Sequence, residues 1–258
     1  MAYKLILAYE GAGFHGFQRQ PGRRTVQGVL EETLCQITGR RAAVAGASRT
    51  DAGVHAEGQV ALWAPDDCAV PAGRLLAALN GRLPQDVRVR EVAIVPEGID
   101  IRHAGSKTYS YRIVPGGSTD LWLAAHSWAV SDPVSLEALD ARARLFLGTH
   151  DFYAFRGEGS GARTTVRTIL AARWHADRGA YVFRVTGTGF LYHMVRIMVG
   201  AMVADAGGRR PGLVREGLLC PRGFKAAEVA PAHGLTLERI DFFGRDSDND
   251  RALKTPVR

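Results

Sequence analysis

"TVQGVLEETLCQITGRRAAVAGASRTDAGVHAEGQVALW", residues 25–63, carries the decision about the fold. Val26, Val29, Leu30, Leu34 and Ile37 recur at helical spacing and Gly39 offers a stop, so a helix is expected over 25–38. Behind it, 41–46 and 54–63 read as strands around a short turn that holds Arg49, Asp51 and Gly53. Working outward, strand 3–9 precedes this block, and helix 71–80 and strand 87–95 follow it. The result is a β-α-β-β-α-β order.

The rest of the chain repeats that order. Strand 107–114 leads to helix 134–147, bracketed by Pro133 and Gly148. A hairpin of 165–175 and 180–187 turns at "ADRGA", and helix 190–205 and strand 235–243 complete the set, with 206–234 adding a short helix and loop. The expected fold is α+β, with tandem ferredoxin-like, RRM-like halves whose mainly antiparallel four-stranded sheets join around a central cleft. Pattern alone puts the halves at 1–104 and 105–245, and the polar end 246–258 reads as a loose tail.

Composition narrows the class. With 258 residues, 46% hydrophobic and 23% charged, the chain is long and apolar enough for a large core, which excludes disorder over most of its length. A net charge of +7 suits a polyanionic partner, and the excess of Arg over Lys fits either planar contacts to phosphate and base or a GC-rich coding sequence. Cys35, Cys68 and Cys220 are scattered and odd in number, signalling neither a disulfide framework nor a zinc site; a reducing cytoplasm is the expected setting. "MAYKLILAYE" lacks the features of a signal peptide. "FLYHMVRIMVGAMVADA" is short for a membrane span and contains His193 and Arg196.

Asp51 is the first candidate for chemistry, because a turn held between two strands presents its side chain rigidly; a plain hairpin connection is the alternative. A glycoside hydrolase needs two facing carboxyl groups, and Glu57 lies along a strand, where a solvated role suffices. His55 beside Asp51 is too little for a metal site, so no metal is expected. What remains is nucleophilic or electrostatic catalysis by one carboxylate kept ionised by a cation. Arg196, in an otherwise apolar helix, is the candidate cation, or else an Arg that snorkels to solvent.

Two further stretches bear on binding. In "KTYSYRIV", Tyr109, Tyr111 and Ile113 share a strand face, where a Tyr can stack on a nucleobase or simply pack. The loop "GAGFHGFQRQPGRRTVQ", 11–27, has neither G-x-G-x-x-G nor Walker spacing; its glycines, Phe side chains and arginines, Arg23 and Arg24 among them, suit an RNA backbone or a plain surface loop. His150 and Asp151 in "GTHDFYAF" are accounted for by capping and turn formation.

Together these motifs resemble the bacterial tRNA pseudouridine synthase A family. "GFQRQPGRRTVQGVLEETL", "RTDAGVHAEGQV", "LNGRLPQDV", "KTYSYRI", "GTHDFYAF", "GFLYHMVRIMVG" and "APAHGLTLERIDFF" fall in the family's order over nearly the whole chain. The resemblance implies that Asp51 is the catalytic aspartate and Arg196 its partner, that Arg49 assists entry of the target nucleotide, that Tyr109 stacks on the flipped uracil, and that Leu235 walls the pocket. It also implies a homodimer acting on uridines on the 3′ side of the tRNA anticodon stem-loop, without metal or organic cofactor. Glu10, Phe17, Ser48 and the stretch 98–106 depart from the family's usual residues. The rival expectation is a non-catalytic RNA-binding module or RNA chaperone on the same fold; a nucleoside hydrolase lacks its second carboxylate.

Overall fold

The computed structural model describes residues 1–65, 70–101, 105–118, 120–223 and 228–242. Cys68, the proposed division at residue 104 and the tail 246–258 lie outside the described residues. Strand β1 (Ala2–Tyr9) leads through a 3-10 turn at Gly11–Gly13 to helix α1 (Val26–Thr38), then β2 (Val44–Gly46), β3 (His55–Trp63), α2 (Ala72–Asn80) and β4 (Val87–Val95). The second half runs β5 (Ser106–Pro115), α3 (Leu121–Ala125), β6 (Trp128–Val130), α4 (Leu136–Arg144) and β7 (Gly148–Asp151). It continues with β8 (Val166–Asp177), β9 (Ala180–Gly187), α5 (Met194–Ala206), α6 (Leu213–Leu219) and β10 (Leu235–Asp241).

Local chemistry sets the helix ends. Thr25 caps α1 by accepting the Gly28 N–H at 3.2 Å, and Gly39 closes it in the left-handed region at φ 68°. Ser135 caps α4 in the same way, accepting from Ala138. On β1 the alternation buries Tyr3, Leu5 and Leu7 completely. Almost every residue of α5 is buried, so this helix runs through the core of the second half against α4 and α6.

The strands form one continuous sheet in the order β4-β1-β3-β10-β5-β9-β8-β7, with β2 also paired to β3 and β6 to β5. The two expected four-stranded sheets are therefore fused. The seam is a short parallel pairing in which Thr236 faces His55 and Leu237 faces Ala56; nearly all other pairings are antiparallel. No sequence period announces such a pairing, because it joins the last described strand to the third.

Smaller departures have local causes. Pairing of β2 starts only where Val44 meets Trp63, so the strand is three residues rather than six. β6 and β7 are too short to show an alternation, and α3 is a five-residue turn of helix capped by Asp120. The helix expected from 190 begins at Met194, because His193 adopts φ 59°, outside the helical region.

Gly58 shows how close the seam is. A Cβ at this position would lie 2.3 Å from the Glu238 carbonyl oxygen and 3.1 Å from Arg239 Cα, both backbone atoms of β10. Gly58→Ala should therefore force β3 and β10 apart, costing about 1–3 kcal/mol in the manner of an overpacked core. Thermal unfolding should show Tm lowered by roughly 2–4 °C for each kcal/mol; an unchanged Tm would mean the seam yields freely.

Candidate active site

Asp51 sits in the β2 to β3 turn, and the turn is anchored from below by a buried amide. Gln59, fully buried on β3, donates to the Ser48 carbonyl at 2.8 Å and to the Tyr9 hydroxyl at 3.3 Å, while its Oε1 accepts from the Ser48 and Val60 N–H groups. Tyr9 in turn shares a 2.7 Å hydrogen bond with the Thr50 hydroxyl. Every polar group of this network has a partner, which is what lets it hold one geometry in a dry interior. Burial keeps the Tyr9 phenol well above its ordinary pKa, so it remains a neutral member of the network.

The loop 11–27 packs on the same turn. Phe17 N–H donates to the Thr50 carbonyl at 3.1 Å, and Gly53 N–H to the Phe14 carbonyl at 3.3 Å. Gly16, at φ 85°, lies where a Cβ would come within 2.7 Å of the Thr50 carbonyl oxygen, so only glycine permits the approach. Much of this loop is thus a buttress. Two of its three arginines differ: Arg24 forms a two-pronged pair with Asp86 at 2.7 and 3.0 Å and lies over the Phe14 ring, while Arg23 is exposed and reaches His15 Nε2 at 3.5 Å.

Across the cleft, the first turn of α5 supplies the cation. Arg196 Nε donates to the Ala230 carbonyl at 2.7 Å, and its Nη1 reaches Asp51 Oδ2 at 3.4 Å. The guanidinium is therefore engaged internally rather than snorkelling, in a helix whose positive end also favours a nearby carboxylate. His193 Nε2 approaches the same Oδ2 at 3.4 Å, aimed there by its left-handed backbone and stacked on the Tyr192 ring at 3.7 Å. Burial lowers the His193 pKa; the Asp51 carboxylate opposes that and Arg196 adds to it.

These groups line a cleft of about 1160 Å³ together with Arg49, Lys107, Tyr109, Phe190 and Leu235. Asp51 is the sole carboxylate of its described lining. Tyr109 is 6% exposed, its hydroxyl bonded to Ser48 Oγ at 3.1 Å and its ring edge-on to Phe190 at 5.2 Å. Burial pushes its phenol up to about 12, partly offset by the Ser48 hydrogen bond. Lys107, two residues earlier on the same strand face, donates to the Ala47 carbonyl at 2.9 Å, and burial lowers its pKa. Arg49 is exposed at the rim, and no carboxylate among the described residues pairs with it.

The family model described as tRNA pseudouridine synthase matches residues 5–102 and 142–242. The chain belongs to the tRNA pseudouridine synthase family. Proteins named tRNA pseudouridine synthase A from three bacteria illustrate the likeness. That of Acetivibrio thermocellus is 37% identical over 92% of this chain and 98% of its own length. The Methylacidiphilum infernorum protein is 40% identical over 94% and 96%, and the Myxococcus xanthus protein 40% over 94% and 92%. Membership of this family makes the chain an isomerase.

Within this pseudouridine synthase, the cleft gathers Asp51, Arg196, Tyr109, Arg49 and Leu235, as expected from sequence, whereas Arg23 and Arg24 are absent from its described lining. His193, Lys107, Phe190 and Ser48 join it without having been singled out as site residues. Lys107 could have been found from the alternation that marks Tyr109; His193 has no signal short of its backbone conformation.

Two outcomes follow from this geometry. Gln59→Leu keeps the volume but strands the Ser48 carbonyl and N–H, so stability should fall by about 1–3 kcal/mol and single-turnover product formation should slow. Lost stability with an unaltered rate would separate Gln59 from the Asp51 turn. The second concerns pH. With its pKa lowered, His193 stays neutral as pH falls to the ordinary imidazole value of about 6.5, where the unfolded chain begins to take up the proton first and stability starts to fall. The single-turnover rate should accordingly hold to that pH and drop only below it, and His193→Gln should abolish the acidic drop; an identical profile in the variant would remove His193 from the reaction.

Proposed function

We propose that this chain isomerises uridine to pseudouridine on the 3′ side of the tRNA anticodon stem-loop, with Asp51 as the catalytic carboxylate. The observation that carries the reading is one carboxylate among described lining residues that are otherwise neutral or cationic, with Arg196 and His193 converging on its Oδ2. A hydrolase of the two-carboxylate type would need a second acid facing it.

The reaction balances without an external reactant. The bond from sugar C1′ to uracil N1 breaks, a bond from C1′ to C5 forms, the C5 proton leaves and N1 gains one. Electron count and mass are unchanged, so the chemistry requires no organic cofactor and routes no step through a metal. Asp51 can add to the sugar, add to the base, or remove a sugar proton; all three use the carboxylate as an anion, and Arg196 Nη1 lies 3.4 Å from its Oδ2. The target must leave the helical stack; in this reading Arg49 fills the vacated space while Tyr109 and Leu235 receive the uracil, and all three line the cleft. Arg23 is freer than Arg24 for a phosphate contact, with Arg24 held by Asp86.

The homodimer in this reading rests on the family resemblance, and the division of labour between halves 1–104 and 105–245 on the sequence pattern. A cytoplasmic setting accords with the scattered cysteines. Among the described residues no helix is long and apolar enough to cross a membrane. A non-catalytic RNA-binding module would not require Asp51, Arg196 and His193 to converge.

The test is incubation with unmodified tRNA transcripts, followed by chemical mapping of pseudouridine and mass measurement. Pseudouridine should appear in the 3′ strand of the anticodon stem-loop with RNA mass unchanged; free uracil as the main product would overturn the proposal. Asp51→Asn should retain fold and tRNA affinity and form no pseudouridine. Arg196→Met should remain folded but turn over slowly, and substantial activity in Asp51→Asn would refute the carboxylate mechanism.

A further inference from the structure

Outside the cleft, three potential metal ligands meet where the two halves touch. Glu10 follows β1, His55 opens β3 and is 4% exposed, and His126 ends α3. None of the three lines the cleft. His126 Nε2 lies 3.0 Å from both Glu10 carboxylate oxygens, and His55 Nδ1 lies 3.0 Å from Glu10 Oε2.

Hydrogen-bond accounting shows what is missing. His126 Nδ1 is 2.9 Å from the Trp122 carbonyl, which can only accept, so this nitrogen carries a proton and Nε2 of the neutral ring presents a lone pair to Glu10. The Gly11 N–H points at His55 Nδ1 at 3.1 Å, so that nitrogen too presents a lone pair. The other nitrogen of His55, Nε2, is buried beside the His233 backbone without meeting ordinary hydrogen-bond geometry. Acceptors thus face acceptors around one carboxylate. A proton on His126 would satisfy the His126 contact and leave His55 against Glu10. A single cation among the three would draw on both imidazole lone pairs and the carboxylate at once.

We propose that Glu10, His55 and His126 form a zinc site that ties the start of the first half to α3 of the second. All three ligand atoms lie within 4.8 Å of one another. Tetrahedral zinc with bonds of about 2.0–2.1 Å sets neighbouring ligands roughly 3.3 Å apart, and Glu10 lies 3.0 Å from each imidazole nitrogen. Two imidazoles and a carboxylate suit zinc, whereas magnesium and calcium favour all-oxygen sets. The Trp122 carbonyl orients the His126 ring as an outer partner does at a metal-bound imidazole. Glu10 is exposed, which gives the ion a route in and leaves its fourth position to water. Zinc would take the His55 Nδ1 lone pair, and the Gly11 N–H that now donates to it at 3.1 Å would turn to another acceptor.

The test uses the tag-free full-length chain, stripped with EDTA and dialysed, then loaded with Zn²⁺ alone. One zinc per chain should survive gel filtration, Tm should rise on loading, and Co²⁺ in its place should show the visible absorption of a four-coordinate ion. Glu10→Gln and His126→Ala change side chains with solvent access, so both variants should fold; each should lose the retained zinc, with affinity weakened roughly tenfold or more. Zinc retained equally by both variants would place it elsewhere and overturn the proposal. Failure of the wild-type chain to retain zinc, with His126 titrating by NMR as a simple imidazolium partner of Glu10, would overturn it in favour of a proton.

Discussion

Everything in the cleft depends on the parallel seam between β3 and β10. Ala56 faces Leu237, which faces Tyr109 on β5, and Tyr109 faces Val185 on β9. That one row runs across the fused sheet and sets Tyr109 two strands from the start of β3, a few residues beyond Asp51. The carboxylate comes from the first half and the phenol ring from the second. Without the seam, each half would hold part of a site and no cleft would lie between them.

The electrostatics follow from what the seam brings together. Arg49, Lys107 and Arg196 line the cleft with one carboxylate among the described residues, so its described lining carries a cationic excess. Arg196 is held by the Ala230 carbonyl as well as by Asp51, which fixes its direction before any ligand arrives. Preorganised charge of this kind costs no rearrangement during reaction. The contacts to Asp51 at 3.4 Å are long, and apo catalytic hydrogen bonds often tighten only on binding.

Elements with long periodic signals were legible in the sequence. The helix of Val26, Leu30 and Leu34, the strand of Tyr3, Leu5 and Leu7, and the 166–187 hairpin appear within a few residues of expectation. The place of Asp51 in a turn between two strands was legible; the turn alone fitted a plain hairpin connection as well, and the family resemblance singled Asp51 out. What stayed hidden has no local signature: the pairing of His55 with Thr236, and the approach of His126 to Glu10 over 116 positions. His193 was concealed differently. An apolar run reads as a helix from its first residue, and only the left-handed backbone at His193 delays α5 and turns the imidazole toward Asp51.

Ser48 illustrates how a departure from the family's usual residue can alter the site without removing it. Its hydroxyl engages the Tyr109 phenol at 3.1 Å, while Phe190 meets the same ring edge-on. A phenol pushed up to about 12 by burial keeps its proton near neutral pH, so Tyr109 is poorly suited to remove one from a substrate. What it has left to offer is its ring. Proton movement in the proposed isomerisation then falls to groups with a lower affinity for protons, and among the residues converging on Asp51 Oδ2 the neutral imidazole of His193 is the one that can both give and take.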